Sequence, residues 1–155
     1  MKRENMKYSE KISNRLNNLL EKTYDAEKGL KLAQDKIDNS TTIKYLNDRA
    51  EQKAEFGHEL KKEILQFGEL PENDGTLKGG IHRVWMDLRT MVASDENENL
   101  LEEVERGDKA SLEEYNEILK DAETVSPPST QSMLVHQRDV IESSLTEAKI
   151  HEQMV

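Results

Sequence analysis

Glycine and proline, the residues that interrupt helices most strongly, are few and clustered in this chain. Seven glycines and three prolines occur in 155 residues, and their clusters leave four long windows and one shorter window between them. Within each long window, apolar residues recur three or four positions apart, which is the spacing of one buried helix face. This pattern predicts an all-α fold. The first window shows it most regularly, in a stripe formed by Ile12, Leu16, Leu19, Thr23, Ala26, Leu30, Ala33 and Ile37.

Capping residues set the predicted helix boundaries. Asn39 and the three hydroxyl residues after it can accept hydrogen bonds from the first N–H groups of a helix, so the second long helix starts there. Gly68 and then Pro71 end it, because glycine tolerates the left-handed cap conformation and proline cannot continue a helix. Ser126 and Pro127 give the last helix its N-cap and first residue. We expect one domain, 1–155, with helices at about 9–37, 41–67, 81–93, 95–122 and 127–153.

The lengths of the links predict how the helices are arranged. Helices joined by short links must lie antiparallel, whereas a link of about 25 residues after the second long helix can run the length of the bundle and make the next long helix parallel to it. This connectivity predicts a ferritin-like up-down four-helix bundle with a long crossover that contains the short helix. The charges agree with it. Residues 1–36 carry a net charge of +3 and residues 95–123 a net charge of −9, which favours packing of the first long helix beside the third.

The formal net charge of −10 narrows the possible partners. Nucleic acid and anionic membranes are bound through Lys and Arg, so we expect neither as a partner. Because the chain has no cysteine, it has no disulfide, thiol nucleophile or thiolate ligand, which fits a reducing compartment. The first residues lead into no apolar segment, and no stretch approaches the roughly 18 apolar residues of a membrane span. We therefore expect a cytoplasmic protein.

Three segments carry a resemblance to a known family: Gly-Gly-Ile-His-Arg-Val-Trp-Met-Asp-Leu at 79–88, Leu-Glu-Glu-Val-Glu-Arg-Gly-Asp at 101–108 and Ala-Glu-Gln-Lys-Ala-Glu-Phe at 50–56. Over about residues 10–150 the chain resembles a domain-of-unknown-function family of small bacterial ferritin-like four-helix-bundle proteins. The most specific parts are the His-Arg-x-Trp-Met-Asp segment and the Glu-Arg-Gly-Asp turn. The resemblance implies a ferritin-like bundle and brings no established activity.

A ferritin-type metal centre requires inward glutamates and Glu-x-x-His tetrads, because residues i and i+3 share one helix face. The chain has such a tetrad from Glu55 to His58. On a helical wheel Glu55 lies about 180° from Leu46 and His58 about 120° from it, so the pair points outward or to a flank. Glu27 and Glu105 also lie at the flanks of their stripes. We expect no cofactor, and the alternative is iron or another divalent metal bound by Glu27, Glu55, His58 and Glu105.

Two charged residues, Lys53 and Asp108, occupy the centres of predicted apolar stripes. They lie about 12 and 13 residues into two helices that we expect to be parallel, so their charged ends can meet across the core. We predict a buried polar cluster of Lys53 and Asp108, completed by Glu27 or by a bridging water because the two helices are diagonal. Its role would be helix register rather than stability. The alternative is that Lys53 extends along its methylene stem to solvent.

Outside the long helices, His82, Arg83, Trp85 and Asp87 form the densest group of chemically capable side chains. They can line a small site on the crossover, although Trp85 would also fill the gap between bundle and connection. No phosphate-binding loop, nucleophile elbow or His-Glu-x-x-His motif gives support to nucleotide-binding or hydrolase classes. We expect a noncatalytic protein with a structural, interaction or stress-related role, whose partner is another protein or a second copy of itself. A di-metal oxidase or storage protein is the first alternative, and a binding module around the crossover is the second.

Overall fold

The computed structural model describes residues 2–35, 37–71, 100–121 and 127–154. They form four helices, α1 (Lys2–Gln34), α2 (Ser40–Gln66), α3 (Leu100–Lys120) and α4 (Pro128–Met154). For these residues, which include no strand, the prediction of an all-α protein with four long helices is confirmed. The predicted short helix at 81–93 and the start of the predicted third long helix lie outside them. None of the four described helices combines the length and the apolar character that crossing a bilayer requires.

The first helix, α1, buries one continuous face. All eight residues of the predicted stripe are buried, although the helix ends at Gln34 and the last of them, Ile37, follows in the link. The helix begins at Lys2, earlier than the predicted start at Ser9. Residues 2–8 contain neither glycine nor proline, and Lys, Arg, Glu and Met propagate a helix well. Intrinsic propensity therefore extends α1 beyond the stretch that the apolar stripe marks.

Local hydrogen bonds close both ends of α2. The Asn39 side-chain oxygen accepts from the backbone N–H groups of Thr41 and Thr42, at 3.0 and 3.1 Å. At the other end Gly68 has a φ of +77°, a conformation that favours glycine. The N–H groups of Gly68 and Glu69 donate back to carbonyls of the last turn, at 3.0 and 3.3 Å. Both ends of this helix are therefore fixed by the residues around them.

The helices pack as two hairpins, α1 with α2 and α3 with α4, and fewer positions join α1 to α3 and α2 to α4. In the interface between α1 and α3, Arg15 forms an ion pair with Asp121. Further along α1, Lys22 lies 2.8 Å from Glu114, which precedes Asp121 on α3. α1 and α3 are therefore antiparallel. Since the short link also makes α2 antiparallel to α1, α2 and α3 run parallel on the diagonal of the bundle.

Among the described residues, two hydrophobic clusters form the core, one on each side of a polar layer. On α2 the smaller cluster ends at Ala50 and the larger begins at Phe56. On α3 the smaller cluster ends at Val104 and the larger begins at Tyr115. A buried charged residue lies between the two clusters on each helix, Lys53 on α2 and Asp108 on α3. The polar layer at the boundary of the two clusters is the feature of the core that most requires a chemical explanation.

Candidate functional site

Asp108 is the centre of the polar layer. Its side chain is completely buried, and Arg49 Nη2 donates to its Oδ2 at 2.5 Å. Lys53 Nζ lies 3.8 Å from the other carboxylate oxygen, Oδ1, with only 3% of the Lys53 side chain exposed. Because Arg49 and Lys53 are one turn apart on α2, both reach the same carboxylate across the diagonal of the bundle. Two buried cations therefore share one carboxylate, and Lys53 does not extend to solvent.

Arg49 connects three helices. Besides Asp108, its guanidinium donates from Nη1 to the Tyr45 hydroxyl at 3.1 Å and to the backbone carbonyl of Ser144 on α4 at 3.4 Å. Its Cζ lies 5.7 Å from the centre of the Tyr45 ring, within the range of a cation–π contact. The Ser144 hydroxyl in turn donates to Gln52 at 3.2 Å. Since Arg49 is only 2% exposed, protein groups take the place of bulk water around its charge.

Burial and the shared carboxylate act in opposite directions on the two cations. Burial lowers the pKa of Lys53 to about 8, and Asp108 opposes the shift. For Arg49, burial also acts to lower the pKa, but Asp108 and Tyr45 outweigh it, so the pKa is raised. Burial raises the pKa of the Tyr45 hydroxyl to about 12. Arg49 and Tyr45 therefore keep their protons, and Lys53 titrates closer to neutral pH than either of them.

A second polar chain runs from the core toward the surface. The Tyr115 hydroxyl donates to Gln137 Oε1 at 2.6 Å, and Gln137 Nε2 donates to Glu59 Oε1 at 2.9 Å. Tyr115 and Gln137 are buried, whereas Glu59 is partly exposed. Burial, with the charge of Glu59 as a second cause, raises the pKa of Tyr115, so the phenol remains a donor. The buried amide thus joins α3 and α2 through α4.

Glu63 fixes the start of α4 against the end of α2. Its carboxylate accepts hydrogen bonds from the hydroxyl of Thr130 and, at 3.3 Å, from that of Ser129. Both hydroxyls lie in the first turn of α4, and only 8% of Glu63 is exposed. Because the N-terminus of a helix carries partial positive charge, a carboxylate is stabilised there. The two hydroxyls and the helix N-terminus account for the buried carboxylate, so it requires no ligand.

Glu27 does not belong to the buried cluster, contrary to the expectation from the sequence. Its carboxylate accepts from Lys31 Nζ at 2.7 Å, one turn along α1, and a fifth of its side chain is exposed. Its position at the flank of the α1 stripe lets it reach a solvated lysine more easily than the core. Arg49 is instead the third charged member of the cluster.

The residues of the alternative metal site do not converge. Glu55 and His58 are exposed on α2. Glu105 on α3 lies 3.5 Å from Lys109 and 4.0 Å from Lys149, so cations already flank it. Among the described residues, no three His, Asp or Glu side chains are placed to share a metal ion. The predicted site on the crossover lies outside the described residues, and its members are His82, Arg83, Trp85 and Asp87.

A groove of about 350 Å³ separates α2 from α4 on the surface of the bundle. Phe56 and Val140 contribute apolar lining, and His136 lies on the α4 side. The α2 side is acidic, so the groove attracts cations in general. The carboxylates that line it are Asp48, Glu51, Glu55 and Glu59.

Arg49 and Gln137 are two polar core residues that the helix patterns had not indicated. Arg49 lies about 40° from Lys53 on a helical wheel, so the argument that singled out Lys53 applies equally to Arg49. Gln137 lies three residues after Leu134 and four before Ile141, at the centre of the α4 stripe. A search for any polar residue at core spacing would have found both. Their partners on other helices follow only from the packing.

One family model matches the chain, over residues 11–121, and its description is a domain of unknown function (DUF2383). The matched region covers well over half of the 155 residues and includes Arg49, Lys53 and Asp108. α4 lies beyond it. No curated protein and no solved structure matches the chain.

Proposed function

This chain belongs to the DUF2383 family, a domain of unknown function, and we propose that it is a ferritin-like bundle without a metal centre and with a noncatalytic structural, interaction or stress-related role. The ferritin-like assignment is supported by the two hairpins and by the parallel, diagonal α2 and α3. A bacterial source is proposed from the resemblance of residues 79–88 and 101–108, and a cytoplasmic location from the absence of cysteine.

One observation carries the proposal: a carboxylate shared by two cations occupies the middle of the core. A di-metal centre in a bundle requires several inward glutamates and histidines. Here the inward Asp108 is already paired with Arg49 at 2.5 Å, and Lys53 adds a second positive charge at 3.8 Å. Buried charges a few ångströms apart interact strongly, so these cations would repel a divalent metal ion. The residues present therefore do not fit a metal at this position.

The same cluster is also unsuited to catalysis on a bound substrate. A catalytic acid or base must come within hydrogen-bond reach of the reacting group. Arg49, Lys53 and Asp108 are at most 2% exposed. The cavity that Lys53 lines measures about 10 Å³, which is room for a single water molecule. The cluster therefore favours a structural role in the core, and we expect any partner to contact the surface of the bundle.

Metal analysis of the full chain tests the proposal. Protein purified without chelator is analysed, loaded anaerobically with Fe(II), desalted and analysed again. We expect trace metal in both samples, and no acceleration of Fe(II) oxidation in air over a protein-free control. About two metals per chain, lost in Glu27→Ala and kept in Glu113→Ala, would overturn the proposal. Glu113 is the matched control because it is an exposed glutamate outside the alternative metal set.

A further inference from the structure

A small, partly enclosed cavity lies beside Lys53, between α1 and α3. Its volume is about 10 Å³. Its polar lining residues are Lys22, Thr23, Lys53, Ser111 and Tyr115, and its apolar ones are Leu19, Ala26 and Ile141. Buried water typically occupies polar cavities of this size and makes two to four hydrogen bonds there, whereas apolar cavities stay dry. The cavity therefore has the size and the lining that a single water requires.

The Lys53 ammonium has a need for such a water. Its Nζ lies 3.8 Å from Asp108 Oδ1, which is beyond the length of a hydrogen bond. Oδ1 itself is buried and has no hydrogen-bond partner among the described residues. The ring of Phe56 also lies close, with its centre 5.5 Å from Nζ. An ammonium carries three N–H groups, which one carboxylate oxygen at 3.8 Å does not satisfy, so a further acceptor beside it stabilises the folded state.

The hydroxyls near Lys53 offer the complementary hydrogen-bonding groups. The Thr23 hydroxyl already donates to the Leu19 carbonyl at 2.7 Å, so its oxygen can only accept a further bond. The Tyr115 hydroxyl likewise donates to Gln137 at 2.6 Å. A molecule that contacts Lys53 and these two hydroxyls would accept from the ammonium and donate to the hydroxyl oxygens. Water does both, whereas an anion can only accept.

We propose that this cavity is a binding site for one water molecule, which accepts a hydrogen bond from Lys53 Nζ and donates one to the Thr23 hydroxyl oxygen. The water solvates the ammonium inside the core and favours its charged form. It thereby extends the polar layer from α2 and α3 to α1. A chloride ion is the competing occupant, because both Lys22 and Lys53 line the cavity, but the cavity volume and the acceptor hydroxyls favour water.

A crystal structure of the full chain, at a resolution that shows ordered water, is the direct test. We expect one peak within hydrogen-bond distance of both Lys53 Nζ and the Thr23 hydroxyl. A crystal soaked in bromide separates the two occupants. An anomalous peak at this position would establish an anion and overturn the proposal, as would an empty cavity.

Solution NMR on the chain and on two matched threonine variants tests the same hydrogen bond. Nuclear Overhauser effects from long-lived water to the methyl groups of Ala26 and Ile141 are expected, and none to Ala33, a buried methyl outside the cavity. Thr23→Val keeps the side-chain shape but removes the acceptor, so the effect at Ala26 should disappear and the pKa of Lys53 should fall. Thr42→Val, at a buried threonine outside the cavity, should change neither. A Thr23→Val protein that keeps both the water signal and the Lys53 pKa would refute the assigned hydrogen bond.

Discussion

At the carboxylate of Asp108, two cations from consecutive turns of α2 meet. The three charges are not equivalent. If Lys53 is removed, Asp108 keeps the hydrogen bond from Arg49 at 2.5 Å. If Asp108 is removed, both cations remain buried without a counter-ion. The stability of the core therefore depends more on the carboxylate than on the ammonium.

The first prediction follows from this asymmetry. Asp108→Leu should lower the free energy of unfolding by about 3–5 kcal/mol, because it leaves uncompensated buried charge. Lys53→Met should be close to neutral or stabilising, because it removes a desolvated cation and keeps an apolar side chain of similar length. Urea unfolding of the two variants measures the difference. The triple variant Arg49→Met, Lys53→Met, Asp108→Leu should recover most of the loss, and equal midpoints for all three proteins would refute this account.

The second prediction concerns pH. Burial lowers the pKa of Lys53 from 10.5 to about 8, so between these values the unfolded chain binds more protons than the folded chain. The free energy of unfolding should therefore rise from about pH 8 to pH 10, by on the order of 3 kcal/mol. Above pH 10 it should fall, because burial raises the pKa of Tyr45 and Tyr115 and only the unfolded chain then loses those protons. Urea titrations across this range should show no rise in Lys53→Met.

Sequence reasoning located part of the candidate site. Lys53 and Asp108 could be singled out because a charge at the centre of an apolar stripe must be buried or must extend to solvent. The contribution of Arg49 depends on its long side chain crossing the diagonal to α3, which spacing on one helix does not reveal. Glu27 was misplaced because, at the edge of a stripe, a local lysine competes with the core for its carboxylate.

At the scale of the helices, prediction from sequence succeeded where apolar periodicity and capping residues coincide. The start of α2 after Asn39 and its end before Gly68 follow from local hydrogen bonding, so both could be predicted from the sequence alone. The start of α1 at Lys2 was missed because residues 2–8 carry no stripe, and helix propensity alone determines whether they are helical.

A pair of glycine substitutions on α2 gives the third prediction. Gly68 has a φ of +77°, so Gly68→Ala should destabilise the chain by about 1 kcal/mol. Gly57 is helical, and an added Cβ would lie 3.8 Å from Tyr24 and 3.9 Å from Leu20, which is ordinary contact. Gly57→Ala should therefore stabilise the chain, by up to about 1 kcal/mol, through helix propensity. Thermal unfolding of both variants should give shifts of opposite sign, and shifts of one sign would contradict the prediction.

At the scale of the whole molecule, two closely packed hairpins are joined by side chains of opposite charge. Arg15 and Lys22 of α1 face Asp121 and Glu114 of α3, as the charge difference between the two segments predicts. Both pairs are partly exposed, so they orient the hairpins and contribute little stability. The central polar layer, the apolar clusters on either side and the hydrogen bonds of Glu63 with Ser129 and Thr130 also join the hairpins.

The fourth prediction reverses one of these pairs. Lys22→Glu should cost no more than about 1 kcal/mol of unfolding free energy, and the added Glu114→Lys should restore it, because the pair re-forms with exchanged charges. In 1 M salt, where the Debye length is about 3 Å, the coupling should weaken. A double-mutant cycle by urea unfolding at low and high salt measures this. A coupling of equal size at low salt and in 1 M salt would show that packing, and not charge, joins α1 to α3.

Because two cations share one carboxylate, the order in which these core residues can be substituted during evolution is constrained. A lineage can lose Lys53 in a single step, since Asp108 keeps its partner, and later mutations can then fill the site with apolar side chains. A lineage that loses Asp108 first must pass through an intermediate with two buried, unpaired cations, which selection against unfolding would remove. Loss of Lys53 should therefore precede loss of Asp108. Relatives that keep a cation at position 49 or 53 but have no carboxylate at position 108 should be the rarest class.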